Sequence, residues 1–425
     1  MKHCLILAAL LLAPLSSVDL SAQIKGIGPV SAITRAHTGF QFTEGPAASP
    51  AGTELYFSDV RANKIHKVDS KGRLRTFVVN TQNTNGLMFD RRGRLIACEG
   101  GAGRLISIDI FRNSVTPLTS FYNGKRFNKP NDLTIDVHGG IYFTDPVFGN
   151  TVPSQPKMGV YYHAPNGKTT LVIDPLVRPN GIILSPDEST LYVVANTPTA
   201  VHSYPVTSPG KLGRGKIFYQ WNTGNCDGMT VDTAGNVYVT RPQSSAIEVL
   251  SPVGQSLGTI TFPENPANVT FGGADMKTLW VTARTSVYRA KMLATGHRPM
   301  RLTATANTIK VSGGKVTFTL HGGIPRAGLS YAILGSASGT EPGVLVGGVR
   351  LPLNPDNLTL ALAGVINSPP FANFAGSLDA SGTATATMTL PPLGAGAIGL
   401  KFDFAGLTAW PTDATTNALR TTMVR

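Results

Sequence analysis

Short runs of alternating apolar and polar residues recur through the first two-thirds of the chain, and one of them returns six times. The copies are LYFSD at 55–59, LIACE at 95–99, IYFTD at 141–145, LYVVA at 191–195, VYVTR at 237–241 and LWVTA at 279–283. Runs of this length, rich in aromatic and β-branched residues and bounded by turn residues, predict strands. Their central residues, Tyr56, Ile96, Tyr142, Tyr192, Tyr238 and Trp280, are spaced by 40, 46, 50, 46 and 42 positions. Most copies follow a Gly/Asp turn such as DRRGR, DVHGG or DTAGN. Each precedes a third run (KIHKVD, LISIDI, VYYHA), and the first five are completed by a fourth such as RTFVV or TTLVID. Four short strands per period of about 40–50 residues are the signature of propeller blades. The sixth unit stops near Leu293 without its fourth run, whereas VSAITRA at 30–36 has no partner. Pairing the two closes the ring and leaves no open sheet edge.

Beyond residue 295 the charges thin out and Thr, Ala, Gly and Pro dominate. After the turn-like ATGHRP come further runs that read as strands: LTATAN, KVTFTLHG, LSYAIL, VLVGGV, LTLALAG, ATATMTL and IGLKFDF. They predict a β-sandwich. The expected organisation is all-β: a six-bladed β-propeller over 23–294, a linker over 295–302 and a sandwich module over 303–425. The module carries no catalytic constellation. It reads as an attachment or spacer unit that contacts a surface or partner, with a cap over the substrate pocket as the alternative.

The repeat also sets polar side chains in register. Eleven or twelve residues before each central residue stand Glu44, Asn85, Asn131, Asn180, Asp227 and Asn268, all bearing side-chain oxygens. A single Asn or Asp in a turn serves only to bond nearby backbone. Six at one place in six blades ring one mouth of the central channel. Buried carboxylates without a counter-charge are costly, and a hard divalent cation resolves the cost. Ca²⁺ accepts six to eight oxygens at roughly 2.3–2.6 Å.

The stretches EGP at 44–46, NGL at 85–87, KPNDL through IYFTDP, RPNG at 178–181 and CDGM through VYVT resemble the SMP-30/gluconolactonase/LRE-like family. The resemblance covers about residues 30–295. It implies a six-bladed propeller with an axial divalent metal, usually calcium, and lactonase or related ester-hydrolase activity on a small molecule. Carried over by position, Glu44, Asn180 and Asp227 match metal ligands. Asn131 matches a position that binds metal in some members and substrate in others. Lys129 falls where some members place a substrate-contacting Arg, and Asn85 and Asn268 are ring members set beside the metal shell or against substrate. Asp227 is the candidate general base or proton carrier. A carboxylate next to a cation is a weak base, which suits a reactive ester such as a strained lactone.

Composition narrows the alternatives. The 425 residues carry a formal charge of +13, but the basic residues are scattered and lack aromatic interleaving, which argues against nucleic-acid binding. The cluster Lys125, Arg126 and Lys129 precedes Asn131 and reads as a solvated loop or a lure for an acidic ligand. There is no H-E-x-x-H motif, and GSASG at 335–339 places Ala337 where a nucleophile elbow needs Ser. Residues 1–22 read as a signal peptide, from the basic Lys2-His3 through an apolar Leu5–Leu15 to Ser21-Ala22. No later segment is long and apolar enough to span a membrane, so an exported, periplasmic or secreted chain is expected. Cys98 and Cys226 are expected to be buried free thiols, a bridge between them being the alternative. Two other functions remain open: a non-enzymatic propeller binding a ligand or partner at the same mouth, and a phosphotriester hydrolase.

Overall fold

The computed structural model describes residues 23–148, 152–174, 176–298, 300–323, 326–340, 342–347, 349–408 and 415–425, so the expected signal peptide lies outside the described residues. Six antiparallel sheets succeed one another along the chain. In blade one the strands Thr43–Ala48, Leu55–Asp59, Lys64–Val68 and Leu74–Val79 pair in order, and blades two, three and five repeat this order. Blade four adds a two-residue strand to the same meander. In blade six the outer strand is Thr34–Thr38, antiparallel to Ser286–Lys291, so the chain's start and the propeller's end share one sheet.

The blades are held together by a ring of apolar seams. Tyr56 and Ile65 of blade one pack with Leu87, Leu95 and Ile106 of blade two. Equivalent seams join blades two and three, three and four, four and five, and five and six. The last, with Phe40 and Phe57 against Val287 and Trp280, returns from blade six to blade one. This accounts for second strands such as LYFSD and IYFTD being buried on both faces. One side chain packs on the preceding blade and the next on the following one.

Polar latches tie the inner strands around the axis. Ser58 Oγ donates to Asn85 O at 2.8 Å, Thr144 Oγ1 to Asn180 O at 2.9 Å and Thr240 Oγ1 to Ala267 O at 2.8 Å. Blades two and four carry Cys98 and Val194 at the matching position, both fully buried. Cys98 and Cys226 are free thiols.

The second half holds two facing sheets. One contains Arg301–Ala304, Gly314–His321, Thr383–Leu390 and Phe371–Ala372; the other contains Thr308–Lys310, Leu419–Val424, Lys401–Thr408, Ser330–Ser336 and Ala375–Ser377. Phe318, Leu320, Ile333, Phe374 and Phe404 fill the space between them. One expectation fails here. LTLALAG belongs to an α-helix, Asn357–Gly364, not a strand. Asp356 caps its first turn by accepting from Thr359 N at 3.0 Å, and Thr359 Oγ1 accepts in return from Asp356 N. That reciprocal box and the strong helix formers Leu and Ala outweigh an alternation only a few residues long.

The sandwich docks on the propeller's rear, where the inner strands end. His297 N donates to Val231 O, Arg298 Nη2 to Ser49 O at 3.0 Å, and Arg350 lies over the Phe111 ring at 3.4 Å from its centroid. The expected linker therefore runs against the propeller: Gly296 forms a β-bridge with Asp232. No helix among the described residues is long and apolar enough to cross a membrane.

Candidate active site

Each inner strand enters the channel at its ring residue, and the residue next to it in the chain decides how closely the strands approach. In four blades that neighbour is glycine: Gly45, Gly86, Gly181 and Gly228. A Cβ on Gly45 would lie 2.1 Å from Asn85 O, on Gly181 2.3 Å from Asp227 O, and on Gly228 2.0 Å from Asn268 Cγ. These glycines let neighbouring strands close on the axis at a distance no side chain permits. Their amides complete the ring, Gly86 N donating to Asn131 O and Gly181 N to Asp227 O. Two blades depart from this: blade six with the apolar Val269 and blade three with Asp132, which is buried at 8% exposure.

Asp132 does not belong to the ring that the repeat predicts, yet it meets the site from within. Its Oδ1 accepts from Leu133 N at 3.0 Å, and Asn268 Nδ2 from the opposite blade approaches its Oδ2 at 3.4 Å. Burial pushes its carboxyl up to about 7, against the pull of the backbone amides of Leu133 and Ile182 and of the Asn268 amide. The signal in the sequence is a carboxylate in the third copy, N-D, where four copies have E-G, N-G, N-G and D-G and the sixth has N-V.

The other ring residues divide by depth. Glu44 is buried; its Oε2 accepts from Gly45 N at 2.9 Å, and Asn268 also bonds it. Burial, then the Asp132 charge, raise its pKa. Asp227 is partly exposed at the mouth and bonded by Asn180; burial among protein atoms, then the charges of Glu44 and Asp132, hold its carboxyl well above the usual range. Asn131, Asn180 and Asn268 are buried, whereas Asn85 is half-buried. The structure thus brings Glu44, Asp132, Asp227, Asn180 and Asn268 into one interacting group. Asn131 and Asn85 join it through backbone carbonyls, bonded by Gly86 N and Ser58 Oγ.

Lys129 lies partly exposed in the loop before Asn131. Its backbone N–H donates to Asp145 Oδ1 at 2.8 Å, while Asn128 N donates to Asp145 Oδ2 at 2.8 Å. Asp59 plays the same part in blade one, accepting from Gln41 N and Phe42 N. These second-strand aspartates anchor the loop leading into an inner strand and so position the residues after it.

Three carboxylates interact in one channel, and among the described residues no cationic side chain offsets their charges. Like charges without a counter-ion raise one another's pKa. A bound divalent cation removes the conflict, and the mixed set of carboxylate and carboxamide oxygens suits a hard ion. Among the described residues no group of three or more acidic, histidine or cysteine side chains is already gathered to hold an ion. The donors present are carboxylates interleaved with carboxamides.

Fold and site together define a six-bladed propeller with acidic and carboxamide side chains gathered where its inner strands begin. Residues 42–285 match the SMP-30/Gluconolactonase/LRE-like region, and the chain belongs to that family. It is 30% identical over 282 residues to a gluconolactonase of Zymomonas mobilis, spanning 59% of this chain and 78% of that one. It is 28% identical over 252 residues to the pentonolactonase XacC of Haloferax volcanii, spanning 58% and 82%. Among solved structures, the gluconolactonase XC5397 of Xanthomonas campestris superposes with a TM-score of 0.59 at 27% identity, covering 65% of this chain and 93% of that one. A calcium-binding regucalcin from Agrobacterium tumefaciens shares the fold, with a TM-score of 0.54 at 19% identity over 63% of this chain and 97% of that one.

Proposed function

We propose that the chain is an exported lactone hydrolase of the gluconolactonase type that depends on a divalent metal, with Ca²⁺ the ion its donors suit. The observation that carries the reading is the uncompensated trio Glu44, Asp132 and Asp227 at the channel mouth of a chain whose relatives are lactonases. Glu44, Asn180 and Asp227, with Asn131, would hold the ion. When bound, it polarises the lactone carbonyl and acidifies water. Asp227, the ring carboxylate with solvent access, takes the proton of the attacking water at its carboxylate and returns it to the ring oxygen as the ester bond opens. Asn180 holds Asp227 in place. Lys129 and Asn85, partly exposed at the entrance, meet the substrate's hydroxyls.

A panel of aldonolactones, a simple aryl ester and a phosphotriester, each with and without a chelator, tests the reading. Aldonolactone hydrolysis should disappear with chelator and return with Ca²⁺ more fully than with Mg²⁺, Mn²⁺ or Zn²⁺. Full activity in chelator would refute the metal, and turnover of the phosphotriester alone would refute the substrate class. Export is tested by N-terminal sequencing of protein recovered outside the cytoplasm, with cleavage after Ala22 expected.

A further inference from the structure

The channel has a second end. Behind the ring, where the inner strands finish, a cavity of about 240 Å³ is bounded by all six blades and closed by the sandwich side. Leu87, Ile135 and Phe271 give it an apolar stretch on the propeller side, beside Asp136 and Glu188, while His297, Arg298, Met300 and Arg326 form the opposite wall.

The polar groups at this cavity are unevenly satisfied. Asp136 Oδ1 accepts from His138 N and Gly140 N, and its Oδ2 from Tyr162 Oη. Glu188 Oε2 accepts from Val137 N, and Asp90 is paired with Arg94. The propeller's acids are therefore engaged. Arg298 is not matched in this way. Two of its five N–H groups go to the carbonyls of Ser49 and Pro50, and among the described residues it forms no ion pair. Burial lowers its pKa to about 10. The neighbouring His297 makes no side-chain hydrogen bond among the described residues, and burial, then Arg301 and Arg326, keep it neutral at about 4. The Arg298 guanidinium and the His297 imidazole thus face a chamber whose apolar surface is flanked by acids already held by the propeller. Small-molecule sites favour domain interfaces with apolar walls and few convergent polar groups.

We propose that this rear chamber is a second ligand site, separate from the acidic mouth, that takes a small monocarboxylate with an apolar body. The carboxylate pairs with Arg298 and accepts from His297; the body lies on Leu87, Ile135 and Phe271. The proposal does not depend on the chemistry assigned to the mouth.

Octanoate is the probe, titrated calorimetrically into the full chain. One saturable site is expected, weakened at least about tenfold, a typical loss for a missing charged hydrogen-bond partner, by Arg298→Met. Leu87→Trp, which fills the chamber while leaving Arg298 in place, should abolish binding even if Arg298→Met fails to fold. Octanol, equal in length but uncharged, should bind at least about tenfold more weakly for the same reason. Glu44→Gln, at the other end, should leave octanoate binding intact. Absence of a saturable site, unchanged affinity in Leu87→Trp, equal binding of octanol, or loss of binding in Glu44→Gln would each overturn the assignment.

Discussion

The same six inner strands build both ends of the channel, and the ends are chemically opposite. At the mouth the strands begin with Glu or Asn or Asp, three carboxylates interact without a cationic side chain among the described residues, and Asp227 keeps access to solvent. At the rear they finish in turns whose aspartates are consumed locally, as Asp90 and Asp136 show by accepting from two backbone amides each. There Arg298 supplies a cation and the sandwich supplies a cover. A propeller's stability needs only the blade seams and latches. The rear aspartates are hydrogen-bonded to their own turns, whereas the carboxylates at the mouth are left in electrostatic conflict. Unresolved conflict of that kind marks a place built for something else to bind. The sandwich covers the rear, so the alternative of a cap completing the pocket at the mouth is set aside.

The largest effect should come from the mouth. Glu44→Gln or Asp227→Asn should lower kcat/KM by roughly 100- to 10,000-fold, the range of a lost proton carrier or electrostatic partner. The far-ultraviolet circular dichroism should be unchanged, and bound metal in the purified variant should fall. Normal metal content together with normal turnover would break the contrast between the two ends.

Asp132→Asn should come next and separates function from stability. Activity should drop roughly 10- to 100-fold, as for groups that support metal ligands. Metal-free protein at pH 8 should become more stable, by an amount on the order of 1 kcal/mol, because one of three mutually repelling buried charges is gone. A thermal melt in chelator measures this. A loss of stability instead would show that Asp132 serves the fold.

How much of this is legible in the sequence depends on whether a feature repeats. The blades, the ring of oxygens and the closing strand can be read because the period of Tyr56, Tyr142 and Tyr238 aligns them. Asp132 escapes a reading of equivalent positions because its importance lies in departing from them: it fills the place of Gly45, Gly86, Gly181 and Gly228. The helix Asn357–Gly364 is mistaken for a strand because it occurs once and its few apolar residues fit either period. The rear chamber is not legible at all, since it joins Leu87, Phe271 and Arg298 across two unlike halves of the chain.

Cutting the chain after Arg298 removes the sandwich but keeps the Arg298 bonds to Ser49 and Pro50. The shortened protein should lose stability on the order of 2 kcal/mol by exposing apolar rear surface around Phe271 and Met276. Its kcat/KM on lactones should be unchanged, because Glu44, Asp132 and Asp227 all lie at the far end. A fall in activity with metal still bound would mean that the rear governs the mouth, and the two ends could no longer be treated as separate.

The smallest effect concerns pH at the rear. Burial raises Glu188 to about 7, the nearby Asp136 charge adds to the shift, and Val137 N and Arg326 offset part of it. A carboxyl whose folded pKa lies above its unfolded value binds its proton more tightly in the native state. Stability is therefore greatest below the unfolded value and falls as pH rises from about 4.3 towards 7, where the folded group ionises at a cost. Glu188 keeps some contact with solvent, so its share should be only about 1–2 kcal/mol across that window. Glu188→Gln stays neutral throughout and should flatten this part of the profile, gaining stability relative to the parent at pH 7.5 and little at pH 4.5. Chemical denaturation at the two pH values reads the difference directly. An equal change at both would assign Glu188 a packing role, whereas loss of stability confined to pH 7.5 would mean that its ionised form is the one Arg326 holds.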